Sequence, residues 1–209
     1  MTAGVGEPDQ VGMAHGDLVF TQIHGPQNPI TVLAAGYRGA RVNHVGVVAG
    51  TEDGLSVLEA FPPGVHLTPL GDFLDRSADA AGRTRFLVAR LRRPHLHLVS
   101  AAVEFGLSRL GVPYDSRFLP DDRELYCSEL VIDMFEHANG GRPFFEEQPM
   151  SFVDPATGRF HQQWVDHYAG LGMAVPEGVL GSNPAALSRD PRLWVYRVEG
   201  DITGLESAP

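Results

Sequence analysis

The sequence predicts an α+β fold, a small antiparallel sheet packed against helices, in one domain over residues 1–209. Three observations lead there. Short runs rich in β-branched residues recur between turn-forming residues, which is how antiparallel strands read. Two longer segments carry their apolar residues at helical spacing instead. No repeat, linker or low-complexity block divides the chain, and 209 residues of ordinary apolar content suffice for one full core.

Taken in order, His15-Gly16-Asp17 leads into a first strand, Leu18-Val19-Phe20, followed by a polar loop at 25–29. Residues 42–48 (Val-Asn-His-Val-Gly-Val-Val) form an apolar, β-branched run suited to a buried strand. Turn residues at 50–54 precede the hairpin partner, 55–60, which Pro62-Pro63-Gly64 ends. A short strand is expected at 65–68, a polar segment to Thr84, and a further strand at 86–91. Pro94 suits the first turn of a helix running through Leu98, Ala102 and Phe105 to near Gly111. The second helix begins at Cys127, with Leu130, Val131, Met134 and Ala138 on one face and Asn139-Gly140-Gly141 as its stop. Beyond Pro143, Trp164, Tyr168 and Leu171 share a helical face, 170–184 is a long structured loop, and 193–196 is a last strand. The ends, about 1–12 and 199–209, are expected to be flexible.

Composition removes several functions. A net charge of −10 opposes sequence-independent binding to nucleic acid and docking on an anionic membrane. Every basic residue is arginine, so P-loop, kinase-type and Schiff-base lysines are excluded. One cysteine permits neither an internal disulfide nor a multi-cysteine zinc site. The first ten residues lack the features of a signal peptide, and no run reaches the ~18 apolar residues of a membrane span. A soluble, cytoplasmic protein is the expectation.

The lone cysteine is the centre of the functional question. In the first turn of a helix, free N–H groups and the positive dipole end favour a thiolate. Cys127 also lies on the apolar face of that helix, where a cysteine is commonly an inert small hydrophobe. A nucleophilic cysteine needs a base and a group to orient it. His44 and Glu59 are candidates because each interrupts an apolar strand, and a hairpin would bring them together. The alternative makes His44 a satisfied core histidine and Glu59 a solvated edge residue; the residues alone leave both readings open.

Five motifs in order resemble the NlpC/P60 superfamily of papain-like cysteine hydrolases, in its circularly permuted YiiX/YaeF-like branch. They are His15-Gly16-Asp17-Leu18-Val19-Phe20, Asn43-His44-Val45-Gly46-Val47-Val48, Val57-Leu58-Glu59-Ala60, Gly111-Val112-Pro113-Tyr114-Asp115 and Tyr126-Cys127-Ser128-Glu129-Leu130-Val131. Histidine precedes cysteine, as in the permuted branch. The resemblance implies a circularly permuted papain-like fold and an amidase or cysteine peptidase without cofactor or metal. It implies Cys127 as nucleophile, His44 as base and Glu59 as its orienting group. Tyr114, Tyr126 and Ser128 would stand on the substrate and oxyanion side. Tyr126 replaces the aspartate that recognises the substrate amine in unpermuted members, which puts muropeptide specificity in doubt. The substrate would be a small-molecule or peptide amide.

Rival chemistries have weaker support. No His-Glu-x-x-His motif completes a metal site from His95, His97, His161 or His167, and no Gly-x-Ser-x-Gly elbow occurs. Lecithin:retinol acyltransferase-like proteins share the permuted order but carry Asn-Cys-Glu-His-Phe at the nucleophile and a histidine in place of Glu59. A non-catalytic binding module that kept the groove is the third alternative. Phe144-Phe145 beside Glu146-Glu147 reads as packed aromatics with a solvated acidic edge.

Overall fold

The computed structural model describes residues 12–24, 30, 33–52, 54–120 and 123–207. The 25–29 loop and part of the polar loop before Cys127 lie outside these residues. Six strands form one sheet in which every neighbouring pair is antiparallel: β1 (Leu18–Thr21), β2 (His44–Thr51), β3 (Gly54–Phe61), β4 (Gly64–Pro69), β5 (Phe86–Leu91) and β10 (Leu193–Glu199). Their spatial order is β10-β5-β1-β2-β3-β4, so β1 lies between β2 and β5. The remaining strands are two-residue pairs, β6 (Gln148–Pro149) with β9 (Leu180–Gly181) and β7 (Val153–Asp154) with β8 (Arg159–Phe160).

The strand alternation divides the core between the two faces of the sheet. Val45, Val47, Leu58 and Ala60 pack with α2 (Val99–Ser108) and α3 (Cys127–Ala138) in the main core. Val48 and Val57 point the other way and pack on Phe73 of α1 (Leu70–Asp75). Gly106 is where α2 comes close to its neighbours: a Cβ there would stand 2.5 Å from Leu58 and 2.8 Å from the Met134 sulfur. Two α-helices follow α3 among the described residues, α4 (Gln162–Gly170) and the single turn α5 (Pro184–Leu187).

Several expectations need correction. The polar segment before Thr84 contains α1, nucleated around buried Phe73. The helix expected from Pro94 opens as a 3₁₀ segment, Arg93–Leu98, before α2 begins. Leu171 is exposed and does not share the buried face of Trp164 and Tyr168. The C-terminal tail does not leave the protein at Glu199. Ile202 is buried, the Thr203 amide donates to Gln22 Oε1, and the Gln22 amide donates back to the Thr203 hydroxyl. Ile202, Leu205 and hydrogen bonds to Gln22, Arg38 and Arg41 thus hold a segment that composition alone marks as free.

Asp17, part of the first motif, has a structural place. Its buried carboxylate accepts from Arg90 on β5, the Tyr196 hydroxyl on β10 and the Ala14 amide, tying three strands together. The preceding Gly16 has φ +87°, and a Cβ there would collide with Val99 at 2.2 Å.

Candidate active site

The helix α3 begins at Cys127, with Tyr126 as an extended N-cap. The Glu129 carboxylate accepts from the Tyr126 amide at 3.2 Å, closing the first turn. As the first helical residues, Cys127 and Ser128 have no i−4 carbonyl within the helix for their amides. Behind them Leu130, Val131 and Met134 are fully buried and fix the helix on the sheet. Cys127 is 5 % exposed, and the surface it keeps lines a partly open cavity.

His44, the first residue of β2, shares a sheet face with Glu59. In the β2–β3 register Glu59 stands opposite Gly46, so carboxylate and imidazole meet diagonally, with His44 Nε2 and Glu59 Oε2 2.5 Å apart. Gly46 is what allows the close approach. A Cβ there would stand 2.4 Å from Val57 and 3.3 Å from the Glu59 Cβ. The imidazole is 4 % exposed and lies against the rings of Phe61 and Phe73.

Burial alone would lower the His44 pKa, because it penalises the charged ring. Hydrogen bonding and charge attraction from Cys127 and Glu59 outweigh it, and the pKa is raised from 6.5 to about 9. Burial alone would likewise raise the pKa of Glu59. The hydrogen bond and charge of His44, the Thr68 hydroxyl and the Arg76 guanidinium reverse that, and the carboxylate is held below its ordinary range. Glu59 is fully buried, so these partners are what make its charge tolerable.

Thr68 and Arg76 escaped the sequence reading. The Thr68 hydroxyl donates to Glu59 Oε1 at 2.5 Å, and Arg76 pairs with the same oxygen while its guanidinium lies 4.3 Å from the Phe61 ring centre. Period 2 offered a signal for Thr68: on β4 it lies on the face of His66, the residue opposite Glu59. Arg76 follows a one-and-a-half-turn helix in a polar segment, and no local pattern marks it.

Of the other expected site residues, Tyr126 and Ser128 line the cavity of about 320 Å³ beside Cys127. The Tyr126 hydroxyl accepts from the Ser182 amide at 3.0 Å, and it binds the start of α3 to the segment after β9. Ser128 is fully buried, and its hydroxyl has no hydrogen-bond partner among the described residues. Tyr114 stands outside the cavity lining, half-buried. Burial first, and then the charge of Cys127, push its phenol upward, so it stays protonated. The rest of the cavity comes from the region after residue 143, whose role the sequence did not reveal, together with Phe118. Phe118 is held at φ +53° because the Asp115 carboxylate accepts from the Arg117 and Leu119 amides on either side of it. The 62–74 segment contributes no lining residue to this cavity.

A family described as permuted papain-like amidase enzymes, YaeF/YiiX, C92 family, matches residues 12–195. Among solved structures, metalloprotein YiiX from Escherichia coli O157:H7 superposes with a TM-score of 0.70 at 24 % identity, covering 86 % of this chain and 94 % of that one. At that identity the likeness concerns the fold. No curated protein matches the chain.

Proposed function

The chain belongs to the permuted papain-like amidase family of YaeF and YiiX and has its α+β fold; from that premise we propose that it is a thiol hydrolase acting on an amide. The observation that carries this reading is the buried His44–Glu59 pair, with His44 in hydrogen-bonding and charge interaction with Cys127, which opens α3 and lines a cavity. In this mechanism the Cys127 thiolate, paired with protonated His44, attacks the amide carbonyl. The Cys127 and Ser128 amides hold the oxyanion, aided by the positive end of α3. His44 gives its proton to the leaving amine as the C–N bond breaks, leaving an acyl-thioester. It then takes a proton from water, which attacks the thioester and frees the acid and the thiolate. Glu59 orients the ring and balances its charge; Thr68 and Arg76 hold Glu59.

The residues here do not fit a metal centre. Among the described residues no group of three or more His, Cys, Asp and Glu side chains can hold an ion, and Glu59 is occupied by His44, Thr68 and Arg76. No helix of the described residues is long and apolar enough to cross a membrane.

The reading predicts a pH profile. Activity requires His44 protonated in the ion pair, so kcat/KM on a chromogenic ester or anilide falls on the alkaline side with a midpoint near the His44 value of about 9. A profile measured from pH 4 to 10 tests this. A midpoint near the 6.5 of an ordinary histidine would contradict it.

A further inference from the structure

Glu59 is approached from two sides. Its Oε2 faces the His44 imidazole, while Oε1 accepts from the Thr68 hydroxyl and the Arg76 guanidinium. A third group comes toward Oε1 from β4. His66 stands opposite Glu59 in the β3–β4 register, with its Nε2 3.6 Å from that oxygen. The hydrolase mechanism leaves this second histidine without a part.

The other ring nitrogen fixes the tautomer of His66. Nδ1 lies 2.8 Å from the Gly64 carbonyl oxygen, which can only accept, so Nδ1 carries the proton of the neutral ring. Neutral His66 therefore turns a lone pair toward Oε1 and makes no hydrogen bond there. Once protonated, Nε2 becomes a donor and the ring a cation facing the same carboxylate. His66 is also the member of the cluster most open to solvent, at 38 % exposure against 4 % for His44, 0 % for Glu59 and 25 % for Arg76. It is the route by which solution pH reaches a buried carboxylate.

The elements around His66 offer it no second counter-charge. Among the described residues, Glu59 is the only carboxylate in ion-pair reach of its ring. The segment along the outer edge of β4, Gly111-Val112-Pro113, is uncharged. On α1, which packs on β4, Asp72 and Asp75 are exposed and make no ion pair with His66, and the Arg76 that follows is already bound to Glu59.

We infer that His66 is a positioning residue acting through Glu59. Neutral, it leaves the carboxylate to His44. Protonated, it shares Glu59 and places a further cation near the imidazolium, which weakens the Cys127–His44 ion pair. The thiolate is thus set back as the medium turns acidic. This deepens the hydrolase reading and rests on it, since both use the same Cys127–His44–Glu59 arrangement.

The test is the alkylation rate of Cys127 by iodoacetamide from pH 4 to 10 in the unmutated protein, His66→Gln and His66→Arg. Glutamine keeps the position neutral, and arginine makes it a permanent cation. The His66→Gln protein is expected to react about threefold faster than His66→Arg throughout, the size of a partly exposed ion pair. The unmutated protein should follow His66→Gln at the alkaline end and cross to the His66→Arg rate at the acidic end. That crossover should coincide with the His66 titration followed by NMR in the unmutated protein, a comparison that depends on no variant folding. A histidine that only packs would slow both variants alike. Variants that react alike, a crossover absent or displaced from the His66 titration, or a thiol unreactive in all three proteins would overturn the inference. Hydrolysis of p-nitrophenyl acetate by the unmutated protein and by Cys127→Ser, measured alongside, separates the two readings. Hydrolysis without the crossover removes His66 alone, and the crossover without hydrolysis removes the hydrolase alone.

Discussion

Replacing Cys127 with serine is expected to lower kcat/KM on an amide substrate by about 10⁴-fold or more, as loss of a nucleophile does in enzymes that use one. The serine hydroxyl fits the site but does not ionise at neutral pH, so it cannot form the ion pair with His44. The same change should lower the His44 pKa from about 9, because the Cys127 hydrogen bond and charge are among the causes that raise it. Following the imidazole by NMR titration reads that shift independently of turnover. A variant that keeps a tenth of the activity, with His44 titrating unchanged, would remove Cys127 from the mechanism.

The second large effect concerns Glu59. Glu59→Ala removes the carboxylate that His44 and Arg76 share, leaving the Arg76 guanidinium without a counter-charge against the Phe61 and Phe73 rings and His44 with Cys127 alone. Breaking a buried pair costs about 3–5 kcal/mol, and the lower end is expected because Arg76 is 25 % exposed. Urea denaturation measures it, and a loss under about 1 kcal/mol, the range of surface pairs, would mean that the cluster is solvated in solution. The pair also fixes a pH window. His44 has a raised pKa, so its contribution is complete below 6.5 and fades as pH climbs through about 9. Glu59 has a lowered pKa, so its contribution is complete above 4.5 and fades as pH drops through its depressed value. Stability from this pair therefore peaks between about 4.5 and 6.5, and Glu59→Gln should flatten that profile.

How much of this was legible in the sequence depended on range. The cysteine helix was readable to within a residue because its face, its start and its Asn139-Gly140-Gly141 stop are all local signals. His44 and Glu59 stood out because a polar group inside an apolar strand breaks the pattern, and a hairpin of adjacent strands joined them. The place of β1 between β2 and β5 left no local trace, since it depends on pairing with a strand some 70 residues onward. Arg76 reaches Glu59 from a different element, and only the packing of α1 on the sheet brings it there. The cavity wall was hidden for the same reason: two-residue strands and a single helical turn carry too few residues to show a period. Tyr126 was expected on the substrate side, yet its hydroxyl also anchors Ser182, a use that depends on the close approach of Gly181, where a Cβ would stand 3.0 Å from that oxygen.

The central claim is that Cys127 is an ion-paired nucleophile, and the rate of alkylation of this single thiol by iodoacetamide from pH 4 to 10 tests it most directly, in the unmutated protein and in His44→Ala. The account predicts an apparent thiol pKa well below the ~8.5 of free cysteine, moving upward when His44 is removed. A thiol that stays unreactive, or that titrates alike in both proteins, would make Cys127 a structural residue and contradict the hydrolase.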